Sequence, residues 1–224
     1  MVTIKWWGHA CFEIRSSDGY TVVIDPHDGG SIGLPKPQVK ADAVLITHEH
    51  FDHNAYQVVL KEGGKVFSMK KGTFRVNGFT VTGFEAYHDK FKGKRRGKVV
   101  IYLIQIEGLR ILHVGDLGHL LDDKTIQNLG EVDILMVPVG GTFTINGEEA
   151  LKLSDMIKPK AIVPMHYWVK GINLPLRPLD DFLKISGSKY DILKLQDNEW
   201  SIDKEKISSW PKPKVVAFPL KTYG

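Results

Sequence analysis

The feature that most constrains the fold of this chain is a short polar run that directly follows a short apolar run. Residues 43–46 (AVLI) form an apolar segment typical of a buried β-strand, and the sequence THEHFDH follows at once. Charged and polar groups are costly to gather at the end of a buried strand unless something satisfies them, and a coordinated metal ion does so. The fold must therefore bring a strand end to a site where four potential ligands meet: His48, His50, Asp52 and His53.

The spacing within this run indicates more than one metal ion. In an extended segment His48 and His50 project to the same side, whereas the adjacent Asp52 and His53 point in different directions. The two pairs cannot easily share one coordination sphere, so we predict two neighbouring divalent ions. Imidazole and carboxylate ligands favour zinc, and manganese, iron and nickel suit them too. The alternative is a solvated polar loop, which this spacing after an apolar strand disfavours.

Bulk composition excludes several classes of protein. Of the 224 residues 42% are hydrophobic and 25% charged, which is ordinary for a soluble globular protein, and the net charge of +4 does not by itself indicate nucleic-acid binding. The single cysteine, Cys11, excludes an internal disulfide and is predicted to be a buried structural thiol in a reducing compartment. The N-terminus lacks signal-peptide features and no apolar run has transmembrane length, so we expect a cytoplasmic protein without membrane insertion.

The order of predicted elements indicates a mixed fold. Strands dominate the first half, and strands alternate with helices in the second half. This pattern predicts an α/β (α+β) class, with mixed β-sheets covered by helices, in a single domain over residues 1–224. The predicted strands are residues 2–7, 11–15, 20–24, 43–46, 65–68, 73–76, 79–85, 99–106, 109–114, 132–137, 160–164 and 190–195, and the predicted helices are residues 54–61, 147–157 and 178–186.

The pattern H-x-H-x-D-H after a strand resembles the signature of the metallo-β-lactamase superfamily. The family pattern continues with a third histidine, an aspartate and a last histidine, and this chain offers His88, Asp116 and His166, each at the end of a predicted strand. The resemblance covers nearly the whole chain. It implies a four-layer αββα sandwich with two metal ions at one edge, between the sheets.

The resemblance also implies a ligand set and a catalytic group. A hydroxide would lie between the two ions, because divalent ions lower the pKa of bound water, and no serine or cysteine nucleophile would be needed. Asp52 and Asp116 would act in catalysis as well as in binding. One ion would be held by His48, His50 and His88, the other by Asp52, His53 and His166, with Asp116 bridging the two.

Further segments resemble one branch of the superfamily. Gly8-His9-Ala10, Ile24-Asp25-Pro26, residues 138–144 and residues 164–167 are similar to metal-dependent hydrolases and to ascorbate-6-phosphate lactonases, and N-acyl-phosphatidylethanolamine phospholipases D share parts of the pattern. His50 stands where di-iron redox branches carry glutamate, which argues against redox chemistry. The branch implies hydrolysis of an ester, lactone or phosphodiester of a small substrate.

Several other polar residues are candidates with competing explanations. His9 is predicted to be catalytic, as a pocket residue or proton donor, and the alternative is a histidine bonded within the fold. Asp25 is expected to support ligands or fix a turn. His113 precedes Asp116 by three residues and would point to the opposite face of its strand, away from the metals. His27 and His119 could line the pocket, although a surface-loop role is at least as well supported.

Two segments could contact substrate. Glycines in the loop after strand 132–137 let a backbone approach a ligand closely, and the alternative is a tight connection. Residues 90–98, hereafter the basic run, carry six basic residues in nine and could attract an anionic substrate, although such runs are usually solvated tips. The predicted substrate-binding residues are Gly141, Thr142, Lys94, Arg95 and Arg96.

Three functions remain open from the sequence. The first is a hydrolase acting on a small ester, lactone or phosphodiester, and the basic run is the only feature that hints at a negative charge on this substrate. The second is a nuclease or RNA-processing hydrolase, which only the basic run supports because no inserted domain would clamp a polymer. The third is a metal-binding protein without catalysis, and the complete ligand set disfavours it. A homo-oligomer is compatible with all three.

Overall fold

Residues 1–221 of the computed structural model form two mixed β-sheets flanked by helices, which confirms the predicted fold class. The first sheet contains, in spatial order, β13 (Glu199–Ile202), β1 (Val2–Trp6), β2 (Phe12–Arg15), β3 (Thr21–Ile24), β4 (Ala41–Ile46) and β5 (Leu60–Ser68). The second contains β12 (Asp191–Lys194), β14 (Lys214–Ala217), β11 (Ala161–Met165), β10 (Ile134–Pro138), β9 (Leu109–His113), β8 (Lys98–Ile106), β7 (Phe79–Tyr87) and β6 (Gly72–Val76).

The helices are short, and two of them pack on each other. Helix α3 contacts both α4 and strand β10. No helix within residues 1–221 is long and apolar enough to cross a membrane. The helices are α1 (Tyr56–Val59), α2 (Asp123–Leu129), α3 (Gly147–Ile157), α4 (Leu179–Ser186) and α5 (Lys204–Ser208).

Strand directions bring the metal-site segments to one edge of each sheet. In the first sheet β1, β3 and β4 run in the same direction, because β2 is antiparallel to both β1 and β3 and β4 is parallel to β3. In the second sheet β7, β9, β10 and β11 share a direction, since β8 is antiparallel to both β7 and β9. Loops that leave the carboxyl ends of parallel strands meet at a common edge, where α/β proteins bind ligands.

One core holds the two sheets together. It combines fully buried residues of the first sheet, such as Ile4 and Phe12, with Phe79 and Val81 of the second. Strands β10 and β11 are buried at every residue, as expected of parallel strands covered on both faces. Cys11 is free and fully buried, as predicted, and burial raises the pKa of its thiol well above the ordinary value.

Some predicted boundaries were wrong. Helix 54–61 ends after Val59, because Leu60 adopts extended backbone angles and begins β5, which pairs in parallel with β4. Four further elements have no counterpart among the predicted ones: strands β13 and β14 and helices α2 and α5. Strand β14 lies between β11 and β12, so the apolar stretch near the C-terminus packs within its own sheet. Helix α2 begins where the side chain of Asp122 accepts a hydrogen bond from the Thr125 N–H.

The start of α3 yields a test of the fold. Asn146 Oδ1 accepts from the Glu149 N–H at 2.9 Å and Glu149 Oε2 accepts from the Asn146 N–H at 3.0 Å, which is a reciprocal cap. We expect Asn146→Ala to lower the free energy of unfolding by about 1 kcal/mol, measured by urea titration. Lys152→Ala, at an exposed position of the same helix, is the control and should change it by less than about 0.5 kcal/mol. Equal losses in the two variants would contradict the capping role.

Candidate metal centre

Every predicted metal ligand lies in a loop that leaves the carboxyl end of a strand. His88 follows β7, Asp116 lies just beyond β9 and His166 follows β11. The run after β4 turns back on itself, because the His53 N–H donates to the His50 carbonyl at 2.9 Å and closes a turn. The turn places Asp52 and His53 on a different side of the run from the first histidine pair.

Three overlapping sets of side chains each have potential ligand atoms within 4.8 Å of one another. Two of them, hereafter the two ligand groups, separate His48 and His50 from Asp52 and His53. One group contains His48, His50 and His88, and the other contains Asp52, His53, His166 and also His9. The third set joins His48 and His53 to Asp25, which was expected to support the ligands.

Asp116 lies between the two groups. Its Oδ2 atom is 3.2 Å from Nε2 of His53, His88 and His166, and 3.5 Å from Nε2 of His48. Burial alone would raise the pKa of this carboxyl group, but the surrounding imidazoles outweigh that effect and hold it well below its ordinary value. A carboxylate at this position can bridge two cations.

Buried atoms without hydrogen-bond partners test whether this site fits a metal. Nε2 of His48, Nε2 of His53 and Oδ1 of Asp116 are buried and unpartnered. Such atoms are costly to bury unless a ligand satisfies them. All three belong to side chains that converge on the same point, and imidazole nitrogen and carboxylate oxygen are donors to divalent transition metals. The donor set therefore fits divalent metal ions.

Asp25 and Thr47 fix the orientation of His48. The Thr47 hydroxyl donates its proton to Asp25 Oδ2 at 2.6 Å, and its oxygen lies 3.0 Å from His48 Nδ1. Because the hydroxyl proton is already committed, His48 must donate from Nδ1, which leaves the lone pair of Nε2 directed at the centre. Burial lowers the pKa of His48, so the neutral, ligating form is favoured.

Asp25 orients His53 in the same way. Its Oδ2 atom lies 3.0 Å from His53 Nδ1, while His53 Nε2 faces Asp52 and Asp116. Burial would lower the pKa of His53, but the carboxylates of Asp116, Asp52 and Asp25 outweigh it and raise that pKa well above the ordinary value. These carboxylates thus favour a positive charge here, which a proton or a metal cation can supply.

His9 approaches the centre from the first sheet. Its Nε2 atom lies 2.8 Å from Asp52 Oδ2, its ring centroid lies 4.0 Å from that of His166, and its Nδ1 atom is buried without a partner. Burial, aided by His166, lowers the pKa of His9 to about 3, so the ring is neutral at neutral pH. A neutral His9 can donate from Nε2 to Asp52 and fix that carboxylate.

The backbone at the centre is strained. His9, Asp25 and His166 have φ values of 55°, 49° and 53°, in the left-handed region that residues other than glycine rarely adopt. Such strain clusters at functional sites. The backbone also packs closely here, and only glycine fits at position 140, since a Cβ atom there would lie 2.1 Å from the His166 carbonyl oxygen.

A cavity of about 510 Å³ opens onto the centre. Its volume lies in the range of small-molecule sites. The residues that line it include two apolar side chains that sequence analysis did not single out, Phe143 and Leu174, and one member of the basic run, Arg96. The remaining lining residues are Glu49, His50, Phe51, Asp52, His88, Asp116 and His166.

The other predicted substrate residues lie elsewhere. Gly141 and Thr142 line a neighbouring cavity, and the Thr142 hydroxyl donates to the Pro175 carbonyl at 2.6 Å. Lys94 and Arg95 are exposed and do not line the metal cavity. The loop after β10 thus contributes Phe143 to the metal cavity rather than its glycines.

Hydrogen bonds and ion pairs hold the basic run in place at several residues. Asp89, which directly follows His88, accepts hydrogen bonds from the N–H groups of Phe91, Gly93, Arg95 and Arg96 at 2.7–2.9 Å. Burial opposes ionisation of Asp89, but these four donors prevail and lower its pKa to about 2. Ion pairs join Lys90 to Glu149 and Lys98 to Glu85.

The remaining histidines have roles within the fold. His113 is fully buried, with Nε2 2.9 Å from the Ala10 carbonyl oxygen and Nδ1 accepting from the Gly115 N–H, so both ring nitrogens have partners within the fold. His27 is buried rather than in a surface loop, and its Nε2 atom lies 3.0 Å from the Trp7 carbonyl oxygen. His119 Nε2 accepts from the Tyr87 N–H at 3.1 Å.

Asp25 yields a test of the centre. Asp25→Asn should weaken zinc binding about 10- to 100-fold, because an amide donor facing His53 Nδ1 would move the imidazole proton to Nε2, the ligating atom. Competition with a chromophoric chelator measures the affinity, and circular dichroism checks the fold. Asp28→Asn, at an exposed aspartate that binds Ser31, is the matched control. Equal affinities in the two variants would refute the orienting role.

Comparisons with known proteins agree with this geometry. Residues 3–166 match the family model described as the beta-lactamase superfamily domain. A UPF0173 metal-dependent hydrolase of Thermococcus onnurineus is 31% identical, over 89% of this chain and 98% of that protein. A solved structure from Thermotoga maritima, assigned to the Zn-dependent hydrolases of the metallo-β-lactamase superfamily, is 35% identical with a TM-score of 0.76, covering 97% of this chain and 98% of that one.

A more distant structure shares the fold. An isothiocyanate hydrolase from gut bacteria of Delia radicum superimposes with a TM-score of 0.70 at 16% identity, covering 98% of this chain and 97% of that one. At this identity the likeness concerns the fold alone. The family model and the closely covering relatives carry the assignment: the chain belongs to the metallo-β-lactamase superfamily and, within it, to the metal-dependent hydrolases of the UPF0173 family.

Proposed function

We propose that this metal-dependent hydrolase holds two divalent ions and cleaves an ester, lactone or phosphodiester bond in a small molecule. The observation that carries the proposal is the position of Asp116, whose Oδ2 atom lies 3.2 Å from histidines of both ligand groups. His88 belongs to one group, and His53 and His166 belong to the other. A single carboxylate between two sets of donors is the arrangement expected of a two-metal site.

The ligand assignment follows the two groups. Asp116 would bridge the ions, and zinc is the favoured metal, with manganese, iron and nickel as alternatives that suit the same donors. His9 belongs to the second group by distance, but its contact with Asp52 supports a positioning role. His48, His50 and His88 would hold the first ion, and Asp52, His53 and His166 the second.

The chain's own residues prepare the site for hydrolysis. When bound, two divalent ions supply a water of lowered pKa and polarise the oxygen of the scissile group. Burial, with His48 and His88 nearby, lowers the pKa of His50 to about 4, so this ligand is neutral at neutral pH. Among the described residues that line the cavity there is no serine or cysteine, which supports attack by water rather than by a protein nucleophile.

The cavity supports a small substrate. Its volume of about 510 Å³ suits a small molecule, and Phe143 and Leu174 give it apolar surface for the non-reacting part of a substrate. The ion pairs of Lys90 and Lys98 leave less of the basic run available for a nucleic-acid backbone. These features favour a small-molecule hydrolase over the nuclease alternative.

Metal removal tests the proposal directly. Stripping the protein with a chelator should abolish turnover of a panel of 4-nitrophenyl esters, lactones and bis(4-nitrophenyl) phosphate, and zinc or manganese should restore it. Each ion at about 1,000 times its dissociation constant stabilises the fold by about 4 kcal/mol, which corresponds to a rise in Tm of about 10 °C per ion. Turnover by metal-free protein would refute the mechanism, and metal binding without turnover of any substrate would favour a non-catalytic role.

Substitution of the bridging carboxylate is the second test. Asp116→Asn should reduce the zinc content from about two ions to one or fewer and lower kcat/KM by at least about 100-fold, because a neutral amide bridges cations poorly. Elemental analysis measures the zinc content. Asp123→Asn, at an exposed residue of α2, is the control and should retain both ions and activity. Two ions and full activity in Asp116→Asn would contradict the assignment.

A further inference from the structure

We propose that the metal cavity selects substrates that carry an oxyanion away from the scissile bond, and that Arg96 binds this anion. The inference rests on the proposed function of the same site and names the class of substrate. Carboxylate and phosphate groups share the required chemistry. Within the described residues, Arg96 is the only member of the basic run that lines the cavity.

The guanidinium of Arg96 lacks a partner for one of its nitrogens. Nη1 is buried and makes no hydrogen bond, and no carboxylate among residues 1–221 forms an ion pair with this side chain. A buried, unpaired charged donor is costly to keep. Because Arg96 lines the cavity, an anion there can pair with the guanidinium through charge-assisted hydrogen bonds and offset this cost.

Phe143 sets the orientation of this side chain. The Cζ atom of Arg96 lies 4.8 Å from the centroid of the Phe143 ring, and both residues line the cavity. A cation–π contact with an aromatic face holds the guanidinium in position beside the cavity. The apolar surroundings strengthen the interaction with an anion, because they screen charge less than water does.

The backbone of Arg96 is fixed relative to the metal ligands. The Arg96 N–H donates to Asp89 Oδ2 at 2.7 Å, and Asp89 directly follows His88. His88 in turn lies 3.2 Å from Asp116. The same segment therefore holds both the backbone of Arg96 and a proposed metal ligand. An anion bound by the guanidinium would accordingly be held at a defined distance from the scissile bond.

The acidic groups that line the cavity are engaged elsewhere. Glu49 hydrogen-bonds Asn54 and Ser68, and Asp52 contacts His9 and His53. None of these carboxylates neutralises Arg96. Since the metal ligands and Arg96 line one cavity of about 510 Å³, the anion and the scissile group can belong to one small molecule.

The test compares zinc-loaded wild type with Arg96→Met and Arg95→Met. Arg95 is the matched control, because it is exposed, stacks on Phe91 at 4.0 Å and does not line the cavity. The substrates are 4-nitrophenyl butyrate, pentanoate and hexanoate, each paired with the ester in which a carboxylate replaces the terminal methyl group. We expect the ratio of kcat/KM for charged over neutral ester to fall about 10- to 100-fold in Arg96→Met and to change less than about threefold in Arg95→Met.

Binding measurements give a readout that does not depend on turnover. Titration calorimetry with inorganic phosphate and with glutarate should show an affinity at least about 10-fold weaker in Arg96→Met than in wild type or Arg95→Met. Loss confined to phosphate would identify a phosphorylated substrate, and loss confined to glutarate a carboxylate. If no ester is hydrolysed but this loss is seen, the hydrolysis proposal fails and the anion site stands.

Two results would overturn the inference: unchanged anion affinities and ester ratios in Arg96→Met, or a wild-type protein that binds neither anion. In both cases the hydrolysis proposal still stands if the wild type hydrolyses esters. Thermal unfolding checks that each variant folds. If Arg96→Met does not fold, Arg96→Lys decides, because lysine keeps the charge but loses the planar fork, and its affinity for the anions should fall at least about threefold.

Discussion

The carboxylate of Asp116 is surrounded by histidines from loops of both sheets, and the relative position of the two sheets depends on this contact. Its Oδ2 atom lies within 3.5 Å of four imidazoles, of which two come from the loop after β4 in the first sheet and two from loops of the second. A buried carboxylate is stable only when positive charge or donors surround it. The carboxyl ends of the two sheets must therefore face each other closely, and the core between them keeps that spacing.

The structure brings the predicted ligands together, and each of them has a local signal in the sequence. The H-x-H-x-D-H run follows an apolar strand, and His88, Asp116 and His166 each lie at or near a predicted strand end. Strands β13 and β14 were missed because β13 has only two apolar residues among polar neighbours and β14 lies between Pro213 and Pro219, which disfavour an ordinary strand. Thr47 was missed as a support for His48, although it stands directly before it in the run.

The sequence alone could not determine which residues line the cavity on the substrate side. Lys94, Arg95 and Arg96 are adjacent and equally basic, and nothing local distinguishes them. Their difference arises from Phe143, nearly fifty residues away in the chain, onto which Arg96 alone of the three stacks. Supporting carboxylates follow a similar rule, since Asp25 and Asp89 act through hydrogen bonds that depend on how distant loops pack.

The wide spread of the ligands along the chain fixes when the centre can form. His48 to His53 lie in one short segment, but His88, Asp116 and His166 join them only through strand pairings of long sequence separation. Such contacts form late and slowly in folding. During synthesis from the N-terminus, the emerging chain carries the compact run long before β11 exists. Assembly of the complete set of candidate ligands is thus a late event in the life of the molecule, and it reports that the strands of both sheets have paired.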